Sequence, residues 1–134
     1  MDTKRLAIGT VVGGIVMFGA TYLIWTIAFD YYAVAIEAAG VAREPQLLWV
    51  SALSNVPFAA LVTLVIERGG SSTIGGGVKI GAMVGFLVWG GVALVHYADM
   101  TIFDLTATIL DPLLSGVHFG VGGGAIAAVL GKLK

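Results

Sequence analysis

The chain has 134 residues, of which 58% are hydrophobic and only 11% are charged, and its formal net charge is −1. Soluble domains carry about 25% charged residues, so this composition excludes an ordinary soluble monomer. Cysteine is absent, which excludes disulfides, thiolate metal sites and thiol redox chemistry. At this length one domain is expected, and the sequence predicts a single transmembrane domain over residues 1–134.

Four uncharged apolar stretches follow one another along the chain. They cover residues 6–29, 46–66, 80–98 and 112–131. Each is close to the length of about 20 residues that a helix needs to cross about 30 Å of hydrocarbon. None shows the alternation of apolar and polar residues that is typical of a membrane β-strand. The sequence therefore predicts an all-α fold, an integral membrane four-helix transmembrane bundle.

The segments between these stretches carry signals of their own. Residues 31–39 contain two tyrosines among small apolar residues, which predicts a short interfacial helix on the outer side. Residues 69–77 are rich in glycine and serine and are predicted to form a cytoplasmic loop. Asp111 followed by Pro112 reads as an N-cap and the first helical residue, so the fourth span is predicted to begin at residue 112.

The few charges are sorted by side. Four spans place both termini on one side, which then contains six of the seven basic residues, while Arg43 lies on the other side. The six are Lys4, Arg5, Arg68, Lys79, Lys132 and Lys134. Basic residues in short loops collect on the cytoplasmic side. Both termini are therefore predicted to be cytoplasmic, in a multi-pass protein of the bacterial inner (cytoplasmic) membrane.

Glycines recur at four-residue intervals inside three of the spans. They are Gly9 and Gly13, Gly81 and Gly85, and Gly116, Gly120 and Gly124. Because lipid is as apolar as the helices, membrane helices associate through close van der Waals contact, which small residues permit. We predict that these glycines lie at helix-packing faces, within the bundle or against a partner subunit.

The first and third spans also share a pattern. Ile-Gly-x-x-Val-Gly-x-x-Val-x-x-Gly begins at Ile8 and again at Ile80. A duplicated helical hairpin would explain this and would place the two halves in parallel. Independent similarity between two glycine-rich helices explains it as well, and both interpretations stay open.

Polar residues inside the spans gather towards the predicted outer side. On the second and fourth spans they follow helical spacing, so that they share a face of each helix, and a histidine ends the third span. These candidate site residues are Ser51, Asn55, His96, Asp111, Ser115 and His118. Polar residues within a membrane need partners and often mark functional sites.

Two interpretations of this polar group are open. In the first, Asp111 is an exposed N-cap and the remaining polar side chains hold helices together. In the second, the fourth helix begins near Asp104, with Thr101 and Asp104 as its capping box, and continues through the proline. Asp111 is then buried close to His118 and Asn55, in a cavity open to the outside that would take a cation, a proton or a small polar ligand.

Motifs for catalysis are missing from the sequence. It has no HExxH motif and no serine, histidine and acid arrangement with motif support, and two histidines exclude a multi-haem cytochrome. We therefore predict no enzymatic activity, no catalytic residue, no metal site and no cofactor. No basic patch indicates a nucleic-acid partner.

Several segments carry a family likeness: the glycine-rich start of the first span, Arg43 to Trp49, Lys79 to Phe86, and Leu105 to Pro112. In these segments the chain resembles a group of uncharacterised bacterial four-helix membrane proteins. The resemblance implies the fold and the location, and none of its motifs has a known chemical role. It also implies that Asp111 belongs to a fixed segment.

These observations predict a non-catalytic accessory or structural subunit that packs against a larger membrane complex, with respiratory and photosynthetic assemblies as candidates. Its predicted partners are the lipid bilayer and other integral membrane subunits, or a second copy of the chain. The alternative is a small transporter or channel for an ion, a proton or a small polar solute. It would use the outer-leaflet polar cavity of Asp111, His118 and Asn55.

Overall fold

The computed structural model describes residues 2–71 and 73–133, and these residues form helices and no strands. Helix α1 (Thr3–Tyr22) continues into a π-helical segment (Leu23–Ala28), followed by α2 (Tyr31–Ala38), α3 (Leu48–Gly69), α4 (Ile74–Asp99) and α5 (Leu105–Leu130). The four long helices, with the π segment counted as part of the first, are long and apolar enough to span a membrane. The predicted all-α fold with four spans is confirmed, and it indicates a multi-pass membrane protein.

The start of α5 corrects one prediction. Asp104, not Asp111, is the N-cap, and its carboxylate accepts a hydrogen bond of 2.8 Å from the backbone N–H of Ala107. The N-cap interpretation of Asp111 is therefore wrong, and Pro112 lies inside the helix, as the second interpretation expected. That interpretation's capping box is also wrong in detail, because Asp104 occupies the cap position that it gave to Thr101.

The start of α4 also lies earlier than predicted. Thr73 caps it by accepting a hydrogen bond of 3.1 Å from the backbone N–H of Gly76, so the glycines at 75–77 are helical rather than part of a loop. The preceding helix, α3, ends at Gly69 and is capped by Gly70, whose φ of +65° is left-handed and would strain any residue with a Cβ atom. The connection between α3 and α4 is consequently short.

Helix α5 lies at the centre of the bundle. It packs against α1, α3 and α4, and its interface with α4 is the largest in the protein. In the most apolar 18-residue stretch of α5, 67% is buried, whereas in that of α4 only 17% is. Helix α4 therefore exposes most of its surface. The core beside α5 is apolar and contains Met17, Ile66, Phe119, Ile126 and Leu130.

The close contact between α4 and α5 depends on glycine. A Cβ atom at Gly81 would collide with the backbone oxygen of Phe119, one at Gly77 with that of Gly123, and one at Gly85 with that of Ser115. Backbone atoms cannot rotate away as side chains do, so any side chain at these positions must push the two helices apart.

The other predicted packing glycines lie at contacts of different tightness. Gly9 faces Thr63 and Gly13 faces Ile126 and Ala59, all closely enough that a Cβ atom would overlap them. On α5, a Cβ atom at Gly124 would lie 2.8 Å from Val78, whereas at Gly116 and Gly120 the nearest atoms are 3.4 Å away. Gly77, Gly122 and Gly123 were not among the predicted packing glycines, and they lie at tighter contacts than these two.

The two helical hairpins pair in the same register. In the first, Gly9 and Gly13 of α1 meet Thr63 and Ala59 of α3; in the second, Gly81 and Gly85 of α4 meet Phe119 and Ser115 of α5. A single shift of 72 residues relates α1 to α4, and a single shift of 56 relates α3 to α5. The similarity between the two halves therefore includes a pair of packed helices and not only one helix, which favours duplication of a hairpin. It also makes Asn55 the counterpart of Asp111.

A three-helix contact closes the end of the bundle that carries both termini, which we call the Arg5 end. The Arg5 guanidinium donates to both carboxylate oxygens of Glu67, at 2.9 to 3.2 Å, and to the backbone oxygen of Leu133 at 2.6 Å. One side chain from α1 thus joins the end of α3 to the residues that follow α5. The opposite end, which carries α2, we call the α2 end.

The glycine contact between α4 and α5 can be tested by comparing two alanine variants of α4. Gly81→Ala should destabilise the folded protein by about 1 to 3 kcal/mol, because the added methyl meets the α5 backbone. Gly91→Ala lies on the same helix with no neighbour within 4 Å, so the higher helix propensity of alanine should leave stability equal or raise it by up to about 1 kcal/mol. Equilibrium unfolding in mixed detergent micelles measures both, and equal effects would contradict the packing.

Candidate functional site

A π-helical segment places the first side chain of the site. Residues Leu23–Ala28 continue α1, and the backbone N–H of Phe29 donates to the oxygen of Ile24, five residues earlier, at 2.7 Å. Segments of π-helix are rare and often occur at functional sites. This one carries Trp25, whose ring lies between the two polar networks of the α2 half of the bundle.

The first network joins three helices on the side of the Trp25 ring that faces the Arg5 end. Thr21 Oγ1 of α1 lies 3.0 Å from His118 Nε2 of α5 and 3.4 Å from Asn55 Oδ1 of α3. The Asn55 side chain also donates to the backbone oxygen of Ser51, at 3.0 Å. Asn55 and His118 are both buried, so these hydrogen bonds replace partners that lipid does not provide.

The geometry assigns the hydrogen of His118. Nε2 lies 2.8 Å from the backbone oxygen of Met17. A carbonyl oxygen only accepts, so Nε2 carries the hydrogen and donates it. The edge of the imidazole meets the Trp25 ring at a centroid distance of 5.3 Å and an interplanar angle of 89°, a favourable aromatic arrangement that fixes the imidazole. His118 is thus a well-packed core residue that spans from α5 to α1.

The second network lies above Trp25, at the α2 end. The Trp25 indole N–H donates to the Tyr31 hydroxyl at 3.2 Å, and that hydroxyl donates to Asp111 Oδ1 at 2.8 Å. Burial raises the pKa of the Tyr31 hydroxyl, so the hydroxyl keeps its proton at neutral pH and stays a donor. Helix α2 is thereby joined to the Asp111 carboxylate of α5.

A small cavity adjoins this second network. It lies between α2, α4 and α5, and its volume of about 20 Å³ suits one water-sized group. Aromatic rings and the Asp111 carboxylate form much of its lining, which includes Tyr31, Tyr32, Trp89, His96, Phe103 and Asp111. Phe103 stacks on Tyr32 at a centroid distance of 5.0 Å and on His96 at 6.1 Å.

The predicted site residues therefore separate into two groups. Asn55 and His118 meet through Thr21, whereas Asp111 and His96 belong to the cavity on the other side of Trp25. The predicted single cavity shared by Asp111, His118 and Asn55 is thus wrong, because the Trp25 ring lies between them.

The two serines of the predicted site take lesser parts. Ser51 contributes its backbone oxygen. The Ser115 hydroxyl is buried and has no hydrogen-bond partner among residues 2–71 and 73–133.

Three residues of the two hydrogen-bond networks were not among the predicted site residues: Thr21, Trp25 and Tyr31. Thr21 and Trp25 are four residues apart, so helical spacing on the first span places them on one face and was a usable signal. Tyr31 had no such signal, because its contact with Asp111 joins residues that are 80 positions apart in the chain.

The two networks and the cavity offer hydrogen-bonding side chains, aromatic rings and one carboxylate. No group of three histidine or acidic side chains close enough to hold a metal ion occurs among the residues that the structure describes. The chain matches no protein-family model, and no curated protein and no solved structure shows significant similarity to it.

The bridging hydroxyl of Thr21 can be tested by isosteric replacement. Thr21→Val keeps the shape but removes the group between His118 and Asn55, and it should lower the free energy of unfolding by about 1 to 2 kcal/mol. Thr26→Val is the matched control, because Thr26 is exposed and lies in the π segment. Unfolding in mixed micelles compares the two, and a Thr26→Val effect as large as that of Thr21→Val would contradict the network.

Proposed function

We propose that the protein is a non-catalytic accessory subunit of a bacterial inner-membrane complex, with both termini in the cytoplasm. The orientation and the membrane are supported by the distribution of basic residues. Lys4, Arg5, Arg68 and Lys132 belong to the Arg5 end, Lys79 lies in the second turn of α4 near the same end, and Arg43 lies at the α2 end. The remaining basic residue, Lys134, lies outside the described residues.

The observation that carries the proposal is an apolar groove between α4 and α5. Its volume is about 480 Å³, and it is wide open on the lipid-facing side. The lining contains no charged or polar side chain: Val78, Ala82 and Phe86 of α4 face Leu113, Gly116, Val117, Gly120 and Val121 of α5. Small residues along the groove let another backbone approach, which is how membrane helices associate.

The occupant that fits best is a transmembrane helix of a different membrane protein. A groove is filled by a ridge of larger side chains from another helix. A two-fold dimer of this chain would use the same surface patch on both copies, so the groove could be filled only by a ridge of that same patch. If a different surface of one copy filled the groove of the next copy, the contact would repeat from copy to copy and would not close into a dimer. A helix of a different protein avoids both difficulties.

The alternative, a transporter or channel, receives less support from the geometry. The two polar networks extend from the α2 end to the middle of α5, where His118 lies. From there towards the Arg5 end the core is apolar except for Thr63, whose hydroxyl donates to the backbone oxygen of Ala59. This arrangement suits a binding site at one end better than a path across the membrane.

The proposed subunit role is tested by filling the groove. Val117 is 57% exposed at the groove, and Val11 is 61% exposed on α1, away from it. In native membranes solubilised in mild detergent, the tagged protein should bring down a partner in stoichiometric amount. Val117→Trp should reduce the recovered partner at least about tenfold, whereas Val11→Trp should leave it unchanged.

Three outcomes would overturn the subunit proposal. The tagged chain would be recovered alone, it would be recovered only with lipid or a second copy of itself, or the two tryptophan variants would lose the partner equally. Circular dichroism and elution volume of both variants check that the bundle stays folded.

A further inference from the structure

The cavity at the α2 end carries an inference beyond the subunit role. Asp111 is the seventh residue of α5, about 9 Å along a helix of about 39 Å. Because the hydrocarbon is about 30 Å thick, this carboxylate lies just below the headgroup region. The cavity beside it lies at the depth where lipid headgroups meet the protein.

Among residues 2–71 and 73–133, no lysine or arginine forms an ion pair with the Asp111 carboxylate, and the nearest basic residue in the cavity lining is His96. The only ion pair among residues 2–71 and 73–133 joins Arg5 to Glu67 at the opposite end of the bundle. Tyr31, which donates to Asp111, is neutral. Ionisable side chains within membranes pair with opposite charges or mark ligand sites, so the site calls for a positive charge from outside the chain.

The lining indicates which kind of cation fits. Calcium and magnesium take six or more oxygen ligands, whereas this cavity offers one carboxylate, the hydroxyls of Tyr31, Tyr32 and Thr108, and aromatic rings. Aromatic rings beside a carboxylate are the environment that binds organic ammonium groups, through cation–π attraction and charge. A volume of about 20 Å³ admits one water-sized head, which matches a primary ammonium and excludes a quaternary one.

We propose that this cavity binds a single primary ammonium group, held by Asp111 and by the rings of Tyr32, Trp89 and Phe103. The ammonium donates to the carboxylate and to neighbouring acceptors, and its organic tail leaves through the open side of the cavity. Two sources share this chemistry: a free small amine and the headgroup of an aminolipid such as phosphatidylethanolamine. The proposal does not depend on a protein partner, so it stands or falls separately from the subunit role.

Tryptophan fluorescence provides the measurement. Of the three tryptophans, Trp89 lines the cavity and Trp25 adjoins it, while Trp49 is 67% exposed. Trp49→Phe therefore leaves a protein whose emission reports on the site. The full chain is placed in nanodiscs of phosphatidylcholine and phosphatidylglycerol at pH 8 and is titrated with ethylammonium chloride at constant ionic strength. We expect a saturable change in emission, and tetramethylammonium should produce none.

Two aspartates of α5 supply the matched variants. Asp111→Asn keeps the shape and removes the charge, and it should weaken ethylammonium binding at least about tenfold. Asp104→Asn removes a charge from the same end of the same helix but keeps a good N-cap, and it should bind as the parent does. If Asp111→Asn does not fold, Phe103→Leu removes one ring of the cavity and should weaken binding several-fold.

A second arm separates the two sources of the ammonium. Replacing part of the phosphatidylcholine by phosphatidylethanolamine should raise the concentration of ethylammonium needed for half saturation if the aminolipid headgroup occupies the cavity. An unchanged half-saturation point identifies a free amine as the ligand. The proposal is overturned if ethylammonium causes no saturable change in the phosphatidylcholine and phosphatidylglycerol nanodiscs, if tetramethylammonium binds equally well, or if a folded Asp111→Asn protein binds like the parent.

Discussion

Backbone contact between α4 and α5 is the constraint on which the rest of the structure depends. At Gly77, Gly81 and Gly85 the two helices are so close that a methyl group would overlap the opposite backbone. In lipid the hydrophobic effect does not drive helices together, so this close packing replaces it. Because α5 also contacts α1 and α3, the contact links α4, the most exposed helix, to the remainder of the bundle.

The same contact between α4 and α5 positions the two proposed sites, the groove and the cavity. One side of the α4 and α5 pair is left as an apolar groove open to lipid. At the α2 end, the pair brings His96 of α4 and Asp111 of α5 to one cavity, which Tyr31 covers from α2. The π segment of α1 then turns Trp25 between this cavity and the network of His118. Packing, surface and site therefore have one structural origin.

The four spans could be predicted because length and hydropathy alone determine them. The central position of α5 could not be predicted in this way. Spacing selects candidate glycines, but whether one is at an interface depends on a helix far away in the chain. Gly81 meets a backbone, whereas Gly91, ten residues later on the same helix, has no neighbour within 4 Å. The start of α5 was missed for a related reason: aspartate followed by proline is a strong local start signal, yet Asp104 caps the helix about two turns before it.

The polar site was only partly predictable for the same physical reason. Helical spacing placed Asn55 and Asp111 towards the α2 end, as observed, whereas His118 lies at the middle of α5. It did not reveal that an aromatic ring separates Asp111 from the other two, since that depends on the π segment and on a hydrogen bond between Tyr31 and Asp111. Local sequence thus determined which groups lie at this end, and long-range contacts determined which of them meet.

Disulfide trapping between α4 and α5 tests the central packing most directly. The chain contains no cysteine, so introduced thiols are the only ones. A Cβ atom at Gly120 would lie 3.5 Å from the Cβ of Ala82, within the separation that a disulfide requires. In native membranes under mild oxidation, Ala82→Cys with Gly120→Cys should become unreactive to maleimide until reduced. Val95→Cys with Gly120→Cys, whose α4 thiol lies about 20 Å farther along the helix, should stay reactive. Persistent reactivity of the first pair, or equal protection of both, would contradict the account.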